Sequence, residues 1–440
     1  MRVAQLRDEA SLSRGFALHA RIIGRQVPSG RVQVSGAKNS ATRLLAAAML
    51  TNDTIVLDNF PTHLVDANHK MRFMRSAGAQ VIVDDTRSQV SIRSAGLGTA
   101  PDDPAADYPI RTTYLLAAGQ IRTAGFARIP YPGGCKIGSR GYDLHMMVWR
   151  ALGCTVRETP AWIEIEGDGF VGGRINFPIS TVGGTENALI CAAIARGETE
   201  IANAYITPEV DDLIDLLRRM GARIEVFGNS LVRVVGTDRL IGTHKSVMPD
   251  RIEALTWVVL AILTGGSIQI DNVPFDHLQV PLLHLEKAGI DLYRNSSSIW
   301  VGPHCLRGGE VQPFELACGA HPGIISDMQA FFVLLGLVAN GTSRIFDYRY
   351  PERVQVVHEL AKLCGSGAVE AQVGKITTHG PARFKAAEVA STDLRGSMAL
   401  VMAALAAEGE SIVLDAHMAL RGYNDLQGKL AQLGVTIDLL

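Results

Sequence analysis

Hydrophobic and polar positions follow one pattern that recurs six times along this chain. An apolar segment of helical length, rich in alanine and leucine, ends near a glycine, and a short run of strand character follows it. The copies lie at residues 36–60, 111–131, 183–205, 250–273, 326–348 and 392–416. Six recurrences indicate one repeated α/β unit rather than unrelated elements.

A second helix with a charged face follows each copy and ends in a similar phrase. In most phrases a glycine stands where a helix C-terminus favours a left-handed residue, and the alternating run after it predicts a strand. The phrases are SAGAQVIV (76–83), ALGCTV (151–156), MGARIEV (220–226), AGIDLY (288–293), LCGSGAVEA (363–371) and LGVTIDL (433–439). Each unit is therefore predicted as helix–strand–helix–strand–strand over roughly seventy residues.

The two kinds of helix predict a layered arrangement. The first helices are apolar nearly all round, which predicts burial, whereas second helices such as residues 209–221 carry a charged face that predicts an outer position. Buried helices covered by an outer layer of sheets and amphipathic helices form a layered α/β domain. Six units divide into two domains of three, and two strand-like runs at residues 19–24 and 31–36 precede the first copy.

Composition and net charge indicate which broad class of protein the chain belongs to. The chain has 440 residues, of which 47% are apolar and 20% charged, and its formal net charge is −2. These values predict a soluble globular protein of about two domains, with no reason to expect nucleic acid or an anionic membrane as partner. The longest apolar runs, 254–263 and 398–407, reach about half of the ~20 residues needed to span a bilayer, and the N-terminus lacks an apolar signal core.

The cysteines indicate a reducing environment. The chain has six, with no CxxC spacing: Cys135, Cys154, Cys191, Cys305, Cys318 and Cys364. This scatter argues against a zinc site or a disulfide framework and predicts a cytoplasmic protein. The sequence also has no metal-ligand spacing, no GxxxxGK[ST] and no GxGxxG fingerprint.

The most unusual stretch is PGGCKIGSRGYDLH at residues 132–145. Its glycines permit backbone conformations that other residues rarely adopt. Cys135 is flanked by Lys136 and Arg140, and nearby positive charge favours the reactive thiolate form of a cysteine. Local chemistry alone leaves two interpretations open, a reactive thiol and an ordinary small apolar side chain.

This stretch resembles the catalytic loop of the UDP-N-acetylglucosamine enolpyruvyl transferases, written PGGCxIGxRPxDLH, and departs from it at Gly141, where the family has proline. From about residue 19 to the end, the repeat scheme is similar to the enolpyruvyl transferase fold, a two-domain inside-out α/β barrel. The resemblance implies one discontinuous domain of residues 19–37 and 246–440, and a second domain of residues 38–245 that carries the Cys135 loop. Residues 1–18 are expected to form a mobile arm.

Cations recur at the starts of the inner helices and in two loops: Lys38, Arg111, Arg251 and Arg395, with Arg353 and Arg421. A single surface arginine is commonly a solvated charge. A cation at the corresponding position of several copies instead predicts a site for a strongly anionic ligand, because helix N-termini also attract anions. Phosphoenolpyruvate, with a phosphate and a carboxylate, is such a ligand.

The resemblance implies a role for each matching position. Catalysis is expected from Lys38, Cys135, Asp327 and Arg421. Phosphoenolpyruvate is expected to be bound by Lys38, Arg140, Arg421, Asp393 and Arg395. The nucleotide is expected to be bound by Asn39, Arg111, Arg140, Gly141, Tyr142, Asp143, Leu144, Thr181, Val182, Gly183, Asp327 and Arg353. Glu209 matches a family position at the domain edge, and no metal or organic cofactor is implied.

Two of these positions have a simpler interpretation. Asp327 and Asp393 stand just ahead of apolar helices, where aspartate is a routine N-cap. In the catalytic interpretation, Asp327 orients or deprotonates the acceptor hydroxyl, while Cys135 supplies a proton or forms an adduct with phosphoenolpyruvate.

The acceptor is less well defined than the donor. The resemblance implies enolpyruvyl transfer from phosphoenolpyruvate to the 3-OH of UDP-N-acetylglucosamine, in peptidoglycan precursor synthesis. Departures at Gly141–Tyr142 and Thr181, and the absence of lysine from residues 178–180, keep the 3′-OH of UMP, in nucleoside-antibiotic synthesis, as the alternative. A shikimate-type acceptor fits less well, because that branch pairs lysine with serine where this chain has Lys38–Asn39. A non-catalytic nucleotide-binding paralogue is the remaining hypothesis.

Overall fold

The structure is a computed structural model that describes residues 18–94, 110–131 and 141–440. Its α-helices are α1 Lys38–Ala48, α2 Val65–Ser76, α3 Ala117–Ala124, α4 Asp143–Ala151, α5 Val182–Ala192, α6 Pro208–Arg219, α7 Arg251–Thr264, α8 Gln279–Lys287, α9 Gln329–Val338, α10 Gln355–Cys364, α11 Leu394–Ala406, α12 His417–Leu420 and α13 Leu426–Gln432. Short 3₁₀ helices at Arg111–Leu116 and Ser326–Met328 lead into α3 and α9.

The strands are short and are distributed along the whole described chain. They are β1 Ala20–Ile23, β2 Ser29–Gln33, β3 Ile55–Asp58, β4 Gln80–Asp84, β5 Gln89–Arg93, β6 Phe126–Pro130, β7 Thr155–Glu158, β8 Trp162–Glu166, β9 Arg174–Thr181, β10 Glu198–Ala204, β11 Arg223–Phe227, β12 Leu231–Val235, β13 Thr243–Ser246, β14 Ser267–Asp271, β15 Tyr293–Arg294, β16 Ser298–Val301, β17 Glu315–Cys318, β18 Thr342–Asp347, β19 Val369–Gln372, β20 Lys375–His379, β21 Glu388–Ala390, β22 Glu410–Leu414 and β23 Asp438–Leu439.

The described residues form two compact units. The terminal unit comprises residues 18–35 and 249–440, and its sheets have the strand orders β21-β22-β1-β23, β15-β16-β14-β2 and β17-β18-β20-β19. The central unit comprises residues 36–94, 110–131 and 141–248, and its sheets have the orders β13-β3-β5-β4, β6-β8-β7 and β11-β12-β10-β9. The N-terminal strands β1 and β2 therefore pair with strands from the C-terminal part of the chain.

Each four-stranded sheet combines one parallel pair of strands with two antiparallel pairs. Parallel neighbours need a crossover connection, and a buried helix usually supplies it. Here α5 connects β9 to β10, α9 connects β17 to β18, and α11 connects β21 to β22. The N-termini of these three helices carry residues of the candidate site.

The apolar helices are buried, as their pattern predicts. In α7 every residue except Thr264 is buried, and in α11 every residue except Ala406. Such helices expose no polar stripe to water, so packing on all sides gives their apolar side chains the largest gain. By contrast, α6 buries Leu213 and Leu217 while Arg219 faces outward.

Glycines end the second helices with positive φ angles, which confirms the C-cap prediction. The prediction covered most of the six segments, and all six have a glycine with positive φ: Gly78, Gly153, Gly221, Gly289, Gly365 and Gly434. The strands expected after Gly289 and Gly434 are shorter than predicted, because β15 and β23 have only two residues each. Strand β2 begins at Ser29, two residues earlier than predicted. Within the described ranges, no helix is long and apolar enough to cross a membrane.

Candidate active site

Lys38 opens helix α1 in the central unit, and its ammonium group is held by a carboxylate of the next helix. Its Nζ lies 3.0 Å from Oδ2 of Asp66, in the first turn of α2, and the side chains are 14% and 7% exposed. A lysine this constrained presents its charge from one position, which suits an anion-binding role. Asn39 follows Lys38 on the same helix.

A buried set of charges lies one turn further along α1 and α2, and it includes Glu186 of α5. The Nζ of Lys70 donates to the Thr42 carbonyl oxygen at 2.6 Å and to the Thr112 hydroxyl at 3.4 Å. Arg43 pairs with the fully buried Glu186 at 2.8 Å. Burial, reinforced by Arg43, holds the pKa of Lys70 well below its ordinary value, and burial raises the pKa of Glu186.

Sequence reasoning missed Asp66 and Lys70 as parts of this group. Their i,i+4 spacing on α2 is a detectable signal, but it predicts a local helical ion pair. In the structure each side chain also reaches α1, where Asp66 contacts Lys38 and Lys70 contacts Thr42. The contacts are made between helices, so the sequence pattern of α2 does not contain them.

Arg111 lies at the start of its 3₁₀ helix and organises the residues that precede α4. Its Nη2 donates to the Gly141 carbonyl oxygen at 2.6 Å, and its guanidinium carbon lies 4.4 Å from the centre of the Tyr142 ring. Tyr131 packs edge-on against Tyr142, with ring centres 5.7 Å apart. The structure thus brings together three residues that were predicted separately as nucleotide contacts: Arg111, Gly141 and Tyr142.

A buried aromatic stack connects this group to the start of α5. Tyr114 and His145 stack with ring centres 3.7 Å apart. A Cβ added at Gly183 would lie 2.5 Å from the Tyr114 hydroxyl oxygen and 3.2 Å from Cε1 of His145, so only glycine fits there. Burial, helped by Arg111, lowers the pKa of His145 to about 3, so its imidazole is neutral at physiological pH.

The remaining predicted nucleotide residues of the central unit stand at helix starts. Thr181 caps α5 by accepting a hydrogen bond from the Gly184 amide at 3.2 Å, and Val182 is the first residue of that helix. Asp143 and Leu144 form the start of α4. Unpaired amide donors and the helix dipole make such N-termini favourable for anions.

The terminal unit holds a second charged cluster. Arg353 is 5% exposed and donates to Oδ1 of Asp327 at 2.8 Å and to Oδ1 of Asp393 at 2.6 Å. Arg395 approaches the other oxygen of Asp327, with Nε 3.5 Å away. Although burial lowers the pKa of Arg353, Asp393 and Asp327 raise it by more, so the guanidinium stays charged. The structure therefore joins four predicted site residues.

The two aspartates differ in their helix-capping role. Asp393 caps α11 by accepting hydrogen bonds from the amides of Arg395 at 3.0 Å and Gly396 at 3.4 Å, so it serves both as a cap and as an arginine partner. Asp327 lies within the 3₁₀ turn ahead of α9, and that helix begins without a side-chain cap. Its carboxylate is 29% exposed, which leaves it accessible from outside the cluster.

Arg421 follows the short helix α12, and its amide donates to the His417 carbonyl oxygen at 3.0 Å. Arg395 reaches the next residue, with Nη1 3.4 Å from the Gly422 carbonyl oxygen. Two predicted site residues, Cys135 and Arg140, lie outside the described residues.

Comparison with known proteins assigns the class. The family model of EPSP synthase (3-phosphoshikimate 1-carboxyvinyltransferase) matches residues 23–430, and the chain belongs to this family. The protein is therefore a homologue of enolpyruvyl transferases, which confirms the predicted class of enzyme.

Two curated relatives with the same name match this chain over nearly its whole length. The UDP-N-acetylglucosamine 1-carboxyvinyltransferase of Azorhizobium caulinodans is 35% identical over 429 residues, which cover 95% of this chain and 98% of that protein. The enzyme of the same name from Methylocella silvestris is 36% identical over 438 residues, covering 96% and 99%.

Solved structures confirm the α/β enolpyruvyl transferase fold. The crystal structure of the enolpyruvyl transferase NikO from Streptomyces tendae matches with a TM-score of 0.86 at 23% identity, covering 96% of this chain and 99% of that one. EPSP synthase from Acinetobacter baumannii matches with a TM-score of 0.72 at 18% identity, covering 97% and 100%.

Proposed function

We propose that this protein transfers the enolpyruvyl group of phosphoenolpyruvate to the 3-OH of UDP-N-acetylglucosamine and releases phosphate. The observation that carries the proposal is the identity of 35–36%, over nearly the whole chain, to UDP-N-acetylglucosamine 1-carboxyvinyltransferases. The reaction belongs to peptidoglycan precursor synthesis. The proposal includes a cytoplasmic location and no nucleic-acid or membrane partner.

The chemistry requires three operations on phosphoenolpyruvate. A proton is delivered to its methylene carbon, the acceptor hydroxyl attacks its central carbon, and the adduct then loses phosphate and a proton. In this proposal Lys38, Arg140 and Arg421 hold the phosphate and carboxylate, Asp327 orients or deprotonates the hydroxyl, and Cys135 supplies a proton or forms an adduct. Positioning and charge stabilisation supply most of the rate enhancement in such reactions.

The geometry of both charged groups supports these roles. Asp66 holds Lys38 at 3.0 Å, which restricts where the ammonium charge can lie. Arg353 donates a hydrogen bond to one oxygen of Asp327 at 2.8 Å, while the Asp327 side chain remains 29% exposed. A carboxylate that is both oriented and accessible can act on a substrate hydroxyl, whereas Asp393, whose side chain is 6% exposed, caps α11 and supports Arg353.

The nucleotide acceptor is assigned to the central unit. The proposed contacts there are Asn39, Arg111, Gly141, Tyr142, Asp143, Leu144, Thr181, Val182 and Gly183, with Arg140 from the loop. The guanidinium–ring contact of Arg111 with Tyr142 and the N-terminus of α5 support this assignment, because they offer a planar cation and an anion-binding helix end. In the terminal unit, Asp327 and Arg353 are the residues proposed for the nucleotide.

The finer description of the fold belongs to the same proposal. We infer an inside-out barrel of three helix–strand–helix–strand–strand repeats in each domain, with domains of residues 19–37 plus 246–440 and residues 38–245, and residues 1–18 as a mobile arm. The presence of three sheets in each described unit supports this inference.

The test measures phosphate release from phosphoenolpyruvate with each of three acceptors: UDP-N-acetylglucosamine, UMP and shikimate 3-phosphate. We expect release with UDP-N-acetylglucosamine, and we expect Asp327→Asn to lower kcat by about 10²-fold or more. The matched control is Asp291→Asn, since Asp291 is an exposed carboxylate paired with Arg307 on the surface. Release with none of the acceptors would overturn the proposal and favour a nucleotide-binding protein without enzymatic activity.

A second candidate acceptor is UMP. The observation that favours it is the Gly141–Tyr142 pair, which stands where the family has proline and a small apolar residue and which Arg111 contacts directly. The absence of lysine from residues 178–180 points the same way, because a monophosphate needs fewer cationic contacts than a diphosphate. Release with UMP and not with UDP-N-acetylglucosamine would establish this alternative.

A further inference from the structure

The side-chain amine of Lys70 is buried in the central unit without a counter-charge of its own. Only 1% of the residue is exposed, and its Nζ donates to two neutral oxygens, the Thr42 carbonyl at 2.6 Å and the Thr112 hydroxyl at 3.4 Å. Among the described residues, no carboxylate forms an ion pair with it. A charged amine in such a place is costly, because two neutral acceptors do not replace the hydration that burial removes.

The acidic groups that act on Lys70 are Asp66 and Glu186, and each already has a cation of its own. Asp66, one turn earlier on α2, pairs with Lys38 at 3.0 Å. Glu186, on α5, pairs with Arg43 at 2.8 Å. A proton on Lys70 therefore gives this group three cations and two carboxylates, a surplus of one positive charge.

Arg43 is the charged neighbour that opposes the protonation of Lys70. Burial first, and then Arg43, hold the pKa of Lys70 well below its ordinary value, so the free protein releases this proton at a lower pH than an exposed lysine does. The other titratable and charged groups of this region are His69 on α2, Glu209 on α6, and Arg111 and Tyr114 on the 3₁₀ helix. Of these, Glu209 and Tyr114 act on the charge of Arg43.

The same amine contacts both elements that begin the proposed ligand contacts of the central unit. Thr112 directly follows Arg111 on the 3₁₀ helix. Thr42 lies one turn after Lys38 on α1, and its hydroxyl donates to the Lys38 carbonyl oxygen at 3.3 Å. Charges in a buried, weakly polar region act on each other more strongly than they do in water. The negative charge of a ligand at these two helix starts would therefore favour the charged form of Lys70.

We propose that Lys70 takes up a proton from the solvent when an anionic substrate binds to the central unit, so that its ammonium charge balances the added negative charge. The proton passes from water or a buffer acid to the lone pair of Nζ, and no other bond forms or breaks. This role rests on the proposed function in one respect, the position of the ligand beside Lys38 and Arg111. Its consequence is that the substrate binds more tightly as the pH falls.

The test is isothermal titration calorimetry of the full chain with UDP-N-acetylglucosamine, between about pH 6 and 8.5, in buffers that differ in ionisation enthalpy. The diphosphate of this nucleotide keeps the same charge over the range, so the dependence of the heat on the buffer reports protons taken up by the protein. At the pH of largest uptake, we expect the wild-type protein to take up about 0.5–1 proton more than Lys70→Met. Its Kd should rise about three- to tenfold per pH unit there, relative to that variant.

Two further variants test whether the proton is on Lys70. Lys70→Arg carries a charge throughout this range, so it should lose the uptake as Lys70→Met does. The matched control is Lys245→Arg, because Lys245 is also buried in the central unit but pairs with Asp212 at 2.8 Å and with Asp215 at 2.5 Å. Its uptake should stay within about 0.2 proton of the wild-type value. Equal uptake in the wild-type protein and both Lys70 variants overturns the proposal, as does its loss in Lys245→Arg.

The measurement requires binding but no turnover, which separates this proposal from the proposed function. Proton uptake on Lys70 in a protein that releases no phosphate overturns only the enzymatic assignment. If the nucleotide does not bind, sulfate replaces it as the titrant, since sulfate also keeps its charge over this range. A wild-type uptake with sulfate no larger than that of Lys70→Met then overturns the role of Lys70, and failure of both anions to bind overturns both proposals.

Discussion

The carboxylate of Glu253 lies in the interior of the terminal unit and depends on one lysine for its charge balance. Its side chain is 2% exposed and pairs with Nζ of Lys429, which also donates to the Ser35 hydroxyl at 2.6 Å. The amide of Ser35 and Nε1 of Trp257 donate to the same carboxylate, each at 3.1 Å. Removing the lysine therefore leaves a buried anion with two neutral donors.

The expected cost follows from this arrangement. Breaking a buried ion pair by removing one partner typically costs 3–5 kcal/mol, and we expect Lys429→Met to lie near ~3 kcal/mol because the two neutral donors remain. Glu253→Gln should cost ~2 kcal/mol, since the amide oxygen still accepts while the lysine loses its counter-charge. The double variant should cost ~3 kcal/mol rather than the sum, which gives a coupling energy of ~2 kcal/mol.

The assay is urea unfolding of the full chain, followed by tryptophan fluorescence and, in parallel, by far-ultraviolet circular dichroism to test for coincident transitions. The matched control is the Arg21–Asp438 pair of the same unit, at 2.8 Å but 44% and 45% exposed. Exposed pairs contribute little in comparable cycles, so the Arg21→Met/Asp438→Asn cycle should show a coupling energy several-fold smaller than that of the buried pair. A Lys429–Glu253 coupling energy no larger than the control would refute the reasoning from burial.

Two further predictions concern the central unit. The buried Lys70 has a lowered pKa, so between that pKa and the ordinary value of about 10.4 the unfolded chain binds a proton that the folded chain lacks. The free energy of unfolding of the wild-type protein, relative to Lys70→Met, should therefore rise with pH in this range. The slope should be at most ~1.4 kcal/mol per pH unit. Urea midpoints between pH 7 and 10 check this, and a difference independent of pH contradicts it. Gly141→Ala places a Cβ 2.6 Å from the Asp143 carboxylate, a movable group, so the KM for the nucleotide should rise while stability changes by less than ~1 kcal/mol. Gly367→Ala, which opens onto free space, is its control, and an unchanged KM counts against a nucleotide role for Gly141.

Much of the fold is determined locally and was therefore predictable. The six glycines that end the second helices, such as Gly78 and Gly434, follow from a helix-terminating conformation that other residues rarely adopt. The burial of α7 and α11 follows from their lack of a polar face. The class of enzyme followed from the motif around Cys135. Each of these signals is contained in a short window of sequence.

The partners of the charged residues were decided only by the tertiary structure. Lys70 is four residues from Asp66, yet it binds the backbone of α1, and Arg395 holds a loop that lies 27 residues away along the chain. A side chain of this kind loses its hydration when the helices pack, and it must then bond to whichever polar group the packing brings near. That choice depends on distances between elements, so the amino-acid sequence determined which helices and turns form, while their packing decided which charges hold the site.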